Sequence, residues 1–276
     1  MSLDSRGGNG IEVVHRGSEA AGPVDVLRRF RLDQRTAIVT GASSGLGRRF
    51  ARVLADAGAD VYAAARRVDR LEELSAADHR IRAVRCDVAD ETDRRRLVEC
   101  AVSETGRVDI LVNNAGVAGP PLAENEEIED FAAALDVNVL AAFHLSKLVG
   151  KHMCAARVGN IVNVASILGT VSGAPFGGAG YGASKGALIA LTRELAGQWG
   201  SMSVRVNALA PGWFRTEMTA SVFANAEASA WVTEKTMLNR AGDEGELDGA
   251  LLFLASDAAS YCTGQVLTVD GGWTAQ

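Results

Sequence analysis

The strongest constraint on this chain is a regular alternation of two kinds of segment. From residue 35 onward, short apolar runs at 37–40, 61–65, 81–86 and 108–112 are separated by helical stretches at 45–57, 71–77 and 93–105. The second half repeats the alternation with longer helices, at about 128–153 and 181–199, between runs at 160–165 and 203–208. A variable stretch at 213–240, a helix near 245–255 and a last run at 265–269 complete it. Runs that stay apolar instead of alternating belong to strands covered on both faces, and strands separated by helices pair in parallel. The expected fold is therefore α/β, a doubly wound parallel sheet. No Pro/Ser-rich linker and no short-period repeat interrupts it, so residues 34–276 read as a single domain. Residues 1–33 have mixed polar composition and read as an N-terminal appendage. Its apolar residues Ile11, Val13, Val14, Val24, Val26, Leu27 and Phe30 are expected to dock on the core or on a neighbouring subunit.

Composition removes several function classes. With 28 basic and 34 acidic residues the net charge is −6, the wrong sign for a general nucleic-acid binder, which needs surplus Lys and Arg to neutralise phosphate. The longest apolar runs, such as 61–65 and 251–254, fall far short of the roughly 20 residues of a membrane span, so no membrane partner is expected. Cys86, Cys100, Cys154 and Cys262 are scattered, without a CxxC pair or a His at ligand spacing, which implies neither a metal site nor a disulfide framework. The first residues lack the basic and apolar regions of a signal peptide, and together these features point to a reducing, cytoplasmic setting. His15, His79, His144 and His152 show no Ser/Asp partner pattern, so a hydrolase triad is not supported. Arg94-Arg95-Arg96, flanked by Asp90, Glu91, Asp93 and Glu99, reads as a solvated helix face.

Directly after the first strand, Thr40-Gly41-Ala42-Ser43-Ser44-Gly45-Leu46-Gly47 opens a helix. Gly41 suits a tight turn, Gly45 lets backbone approach a pyrophosphate, and Gly47 lets the helix pack closely. Phosphate bound there would meet free N–H groups at the positive end of the helix dipole. Taken alone, a glycine-rich turn without any ligand fits these residues equally well.

The turn does not stand alone. Asn113-Asn114-Ala115-Gly116 follows the fourth strand, Ser166 ends the fifth, Tyr181-Gly182-Ala183-Ser184-Lys185 opens a helix, and Pro211-Gly212-Trp213-Phe214-Arg215-Thr216 follows the sixth. In this order, across residues 30–272, the chain resembles the short-chain dehydrogenase/reductase family, with its TGxxxGxG turn, NNAG and Ser/YxxxK patterns. That resemblance implies a Rossmann-like fold and a nicotinamide cofactor. It would be held by Gly41, Ser43, Ser44, Gly45, Leu46 and Gly47; by Asp87 and Val88 at the adenine; by Asn114, Ala115 and Gly116; and by Tyr181, Lys185, Pro211, Gly212 and Thr216. Charge argues for the phosphorylated cofactor. The second strand ends Ala64-Ala65-Arg66-Arg67, where a carboxylate would bind a ribose 2′-hydroxyl, and Arg66 instead offers a fork to a 2′-phosphate. The expectation is NADP, with NAD possible, because Ser43 and Ser44 stand where NADP-preferring relatives often carry a second basic residue.

Tyr181 and Lys185, four residues apart, share one helix face. A nearby ammonium and a nicotinium charge are expected to lower the phenol's pKa and make the pair a usable acid/base. Ser166 arrives at the carboxyl end of its strand, where its hydroxyl can bond a substrate oxygen. The resemblance further implies that Asn138 completes a tetrad by holding a water in a proton relay to Lys185. The resulting expectation is hydride transfer between NADP(H) and a small carbonyl or secondary alcohol substrate. Rivals are a nucleotide-binding sensor or scaffold of the same fold without turnover, and an isomerase or dehydratase using the same cofactor. Trp213, Phe214, Met218, Phe223, Trp231 and Met237 are expected to lid the substrate site, while Arg215, Glu217, Glu234 and Lys235 face solvent or a polar substrate. The motif at 211–219 leans toward gluconate-dehydrogenase-like members, with acyl-carrier ketoreductases as another option. The resemblance also implies a homotetramer, dimerising through the helices at 128–153 and from Tyr181 and pairing dimers through the last strand.

Overall fold

A computed structural model describes residues 25–275. Ile11, Val13, Val14, His15 and Val24 lie outside them. Strands and helices alternate as β1 (Thr36–Thr40), α1 (Gly45–Asp56), β2 (Asp60–Ala65), α2 (Val68–Ala77), β3 (Ile81–Arg85), α3 (Glu91–Thr105) and β4 (Ile110–Asn113). They continue with α4 (Ile128–Leu135), α5 (Ala141–Ala156), β5 (Gly159–Val164), α6 (Ala179–Trp199) and β6 (Val204–Pro211). The last are α7 (Ala220–Ala224), α8 (Ala226–Lys235), α9 (Asp248–Ala255) and β7 (Val266–Val269). All seven strands pair in parallel, in the order β3-β2-β1-β4-β5-β6-β7.

The apolar runs are buried because both sheet faces are covered. On one face Phe50, Leu54, Leu71 and Leu251 pack against Ala37 and Val39. On the other, Leu97, Leu145, Val149 and Leu195 pack against Ile38 and Tyr62. Successive residues of β1 thus feed opposite cores, as strand geometry requires. The order turns back at β1 and β4, and such a switch opens a crevice beyond the carboxyl ends of those strands. Buried amides align these ends: Asn113 Nδ2 donates to Asn163 Oδ1 at 2.9 Å, and Asn163 Nδ2 donates to Thr192 Oγ1 at 2.9 Å, tying β4, β5 and α6 together. At the opposite end, buried Asp109 accepts from the Thr36 amide at 2.9 Å and pairs with Arg35 and Arg107.

Several expectations need correcting. The helix foreseen at 128–153 is interrupted by a π-turn at Asp136–Leu140. The stretch Ile128–Ala156 is also long and apolar enough to cross a membrane, which the lengths of its separate apolar runs do not show. In the fold, however, Leu145, Val149 and Met153 form the inner face of a core helix. Arg94 is not solvated: it is 4% exposed, and its guanidinium donates to His144 Nδ1 at 2.9 Å and to the Val88 carbonyl. That arginine braces the loop after β3. Val26 and Leu27 do not dock within the protomer but stand exposed; Leu32 enters the core instead, its amide bonded to the Ala57 carbonyl at 2.8 Å. The variable stretch at 213–240 folds into α7 and α8.

Candidate active site

The crevice is a cleft of about 530 Å³ across the carboxyl ends of the central strands. The glycine turn forms its floor. Gly41 has φ +68°, and a β-carbon there would sit 2.9 Å from Asn114 Nδ2 and from the Ala115 Cα, so the turn and the end of β4 meet only because the residue is glycine. Gly47 needs its bare backbone because a β-carbon would run into the Gly41 carbonyl; its tight neighbour is thus the turn itself. Thr40 Oγ1 accepts from the amides of Asn114 and Ala115, both at 3.0 Å, and Asn114 Nδ2 donates to the Thr40 carbonyl at 2.9 Å. Asn114 therefore acts as a brace between β1 and β4.

A nicotinamide dinucleotide fits this donor set. No side chain caps the first turn of α1, so its N–H groups face the cleft. The end of β2 carries two guanidinium groups. Arg66 is exposed on the cleft wall and makes no hydrogen bond or ion pair among the described residues. Its neighbour Arg67, which the sequence reading passed over, reaches onto the glycine turn: Nε donates to Ser43 Oγ at 3.2 Å and Nη2 to Ser44 Oγ at 2.6 Å. Arg67 also pairs with Glu217 at 2.8 Å, and Arg70 pairs with the same carboxylate at 3.1 Å. No single-residue pattern reports that contact, since strand ends 150 residues apart make it. Asp87, Val88, Ala115, Gly116, Pro211, Gly212 and Thr216 line the same cleft.

Ser166, Tyr181 and Lys185 close its inner end. β5 delivers Ser166, whose Oγ accepts from the Leu168 amide at 3.1 Å and bonds the Tyr181 phenol. The first turns of α6 carry Tyr181 and Lys185. Lys185 is buried; its Nζ donates to the Val164 carbonyl at 2.7 Å and lies 5.5 Å from the centre of the Tyr181 ring. Burial pushes the Lys185 ammonium down to about 8. Burial also pushes the Tyr181 phenol up, opposed only by its bond to Ser166. The Lys185 ammonium adds no lowering of its own here, because it is turned toward a carbonyl and the ring plane and is itself weakened by desolvation.

Asn138 does not line the cleft. It sits in the π-turn, 1% exposed, behind Gly116. Its Oδ1 accepts from the Val117 amide at 2.8 Å, and its Nδ2 donates to the Val117 carbonyl and to Ser184 Oγ, both at 2.9 Å. These bonds hold the wall of the cleft against α6.

A second cavity of about 310 Å³ opens beside the first and shares Ser166, Tyr181, Gly212, Met218 and Thr219 with it. Of the expected lid residues, Trp213 and Met218 line it; Trp231 backs it through contacts with Trp213 and Phe176; Phe214 joins the core and the cofactor cleft; Met237 is exposed.

Residues 41–274 match the family model described as Enoyl-(Acyl carrier protein) reductase. The chain is 40% identical over 253 residues to galactitol 2-dehydrogenase (L-tagatose-forming) of Cereibacter sphaeroides, covering 91% of this chain and 99% of that one. Among solved structures, gluconate 5-dehydrogenase from Burkholderia cenocepacia J2315 in complex with NADP and tartrate superposes with a TM-score of 0.86 at 35% identity, covering 91% of this chain and 99% of that chain. A 7α-hydroxysteroid dehydrogenase complexed with NADH and 7-oxo glycochenodeoxycholic acid gives 0.84 at 35% identity, covering 88% and 96%. With that coverage behind the glycine turn, the NNAG end of β4 and the Ser/Tyr/Lys cluster, the chain belongs to the short-chain dehydrogenase/reductases and is an NAD(P)-dependent oxidoreductase.

Proposed function

We propose that this protein moves hydride between NADP(H) and a carbonyl or secondary alcohol carbon, with Ser166, Tyr181 and Lys185 handling the substrate oxygen and its proton. The observation that carries this is the meeting of the two cavities at Ser166 and Tyr181. One cavity suits a dinucleotide along the glycine turn; the other suits the molecule to be reduced.

The cofactor supplies or accepts the hydride. Gly41, Gly45 and the first N–H groups of α1 bind its pyrophosphate, and Arg66 with Arg67 binds a 2′-phosphate. Ser166 Oγ hydrogen-bonds the substrate oxygen and orients the carbonyl beside Tyr181. The Tyr181 hydroxyl gives its proton to that oxygen in reduction and takes it back in oxidation. The Tyr181 phenol is protonated at neutral pH, the form that donates in carbonyl reduction, while burial, by pushing its pKa up, makes that donation harder. Lys185 orients the phenol and carries charge at the inner end of the cleft. Asn138 is a positioning residue that keeps Val117 and Ser184 in place.

We place the catalytic unit at residues 34–276 and regard residues 1–33 as an appendage, of which residues 1 to about 22 are not needed for chemistry. A homotetramer accords with the exposed Phe143 and Leu140 beside α5 and with the small exposed Ala183 and Ala190 on α6. A cytoplasmic setting accords with four cysteines that are all free thiols. The test is to follow the nicotinamide absorbance band while NADPH meets a panel of ketones and NADP⁺ meets a panel of alcohols. NADPH binding without consumption of any ketone would favour the sensor reading.

A further inference from the structure

We infer that the molecule reduced or oxidised here is uncharged and largely apolar apart from its reacting oxygen, and not a sugar acid or other anion. This inference rests on the hydride-transfer reading and specifies the occupant of the second cavity. The walls there are Ile167, Leu168, Phe176, Trp213, Met218 and Val222. Behind them the rings of Trp213, Trp231 and Trp273 pack at 4.8 to 5.9 Å between centres, with Phe176 against Trp231 at 5.1 Å. Among the described residues, the polar side chains apart from Thr219 and the buried, unpartnered Trp213 Nε1 lie in two places. Ser166 and Tyr181 stand at the inner end, where the reacting oxygen belongs, and Ser221 and Asn225 stand exposed at the rim. Thr219 also borders the cavity, but its hydroxyl is already bonded to the Phe214 carbonyl at 2.5 Å and to Thr216.

Among the described residues, no Lys, Arg, Asp, Glu or His lines this cavity. Four charged residues near it make contacts outside its walls. Arg215 lies over the Phe223 ring at 4.6 Å, Glu217 reaches Arg67 and Arg70, Lys235 lies over the rings of Trp231 and Trp273, and Glu126 accepts from the Gly180 amide at 3.0 Å. An anion entering this space would lose hydration without meeting a cation, and a polyol would leave several hydroxyls without partners; both are penalised relative to an apolar body of equal size. A carbonyl compound with one oxygen for Ser166 and Tyr181 leaves neither defect.

The test compares 2-octanone, 7-oxooctanoate and 5-keto-D-gluconate with the full-length protein. Turnover is read with NADPH, and binding is read by tryptophan fluorescence in the presence of NADP⁺. The expected kcat/KM for 2-octanone exceeds that for 7-oxooctanoate by about 100-fold, with 5-keto-D-gluconate lower still. Val222→Arg, which puts a cation on the apolar wall, is expected to shift the ratio of acid to ketone by about tenfold toward the acid. If 2-octanone binds with this preference but is not reduced, the cavity assignment stands and the hydride-transfer reading fails. Equal or better use of either acid, or failure of 2-octanone to bind, overturns the inference.

Discussion

Arg67 at the end of β2 and Glu217 beyond β6 hold each other at 2.8 Å across the mouth of the cofactor cleft. The pair places a carboxylate near the ribose site even though β2 itself ends without one. Arg67, Ser44 and Arg70 together hold the Glu217 carboxyl down to about 2. A 2′-phosphate would need the same Arg67 donors, so Glu217 competes with it. Glu217→Gln is therefore expected to tighten NADPH by about two- to fivefold at low salt, the range of an exposed ion pair, while leaving NADH nearly unchanged. Titration of nicotinamide fluorescence checks this.

Arg66 and Arg67 should share the selectivity for the phosphorylated cofactor. Each of Arg66→Ala and Arg67→Ala is expected to lower the NADPH-to-NADH affinity ratio, by roughly tenfold for the residue that forms the fuller charge-assisted contact. A ratio unchanged in both variants would show that the arginines do not meet the cofactor phosphate.

Tyr181→Phe removes the transferable proton while leaving the ring in place. Turnover is expected to fall by about 10²–10⁴-fold with NADPH affinity retained. Lys185→Ala should damage both, because Nζ projects into the same cleft and holds the Val164 carbonyl at 2.7 Å. Parallel measurements of kcat and of cofactor dissociation separate the two effects.

Lys185 gives a signed pH dependence. Its folded pKa, about 8, lies below its ordinary value of 10.5, so between these values the unfolded chain binds more protons and stability rises with pH. The cost of the buried ammonium is fully present below about 8 and is relieved as the pH climbs toward 10.5. Lys185→Met is accordingly expected to raise Tm at pH 7, with the gain shrinking above pH 8. In the native enzyme, kcat/KM for carbonyl reduction should fall as the pH rises through about 8, and Lys185→Arg should move that inflection to higher pH.

Asp109 lies at the opposite end of the sheet from the cleft and is 3% exposed. Its removal leaves the Thr36 amide and the Arg107 guanidinium without this acceptor, while Arg35 keeps its pair with Asp257. Asp109→Ala is expected to cost about 2–4 kcal/mol and to lower Tm by about 5–10 °C, with kcat/KM of the folded protein unaltered. Loss of kcat/KM at unchanged Tm would contradict that separation.

Much of the cleft was legible because its residues sit at fixed offsets from strand ends. Gly41 and Gly47 follow β1, Asn114 follows β4, and Tyr181 and Lys185 begin α6; local spacing carries this information, since a strand end leads directly into the crevice. Where side chains from distant segments meet, local spacing is silent. Three consecutive arginines gave no sign that Arg94 would be buried against His144 and Val88 while Arg95 and Arg96 stay on the surface.

By itself, then, the order of apolar runs and helices determined a parallel sheet covered on both faces, because strands that stay apolar and are separated by helices are buried on both sides, and the glycine turn after β1 pointed to the doubly wound form. It also determined that the glycine turn and the Ser166, Tyr181 and Lys185 groups share one edge of that sheet. Tertiary structure alone decided which arginine touches the glycine turn, the raised pKa of Tyr181, and the apolar character of the second cavity. Each depends on desolvation and on contacts between segments such as β2 and the chain beyond β6, whose separation in sequence carries no distance information.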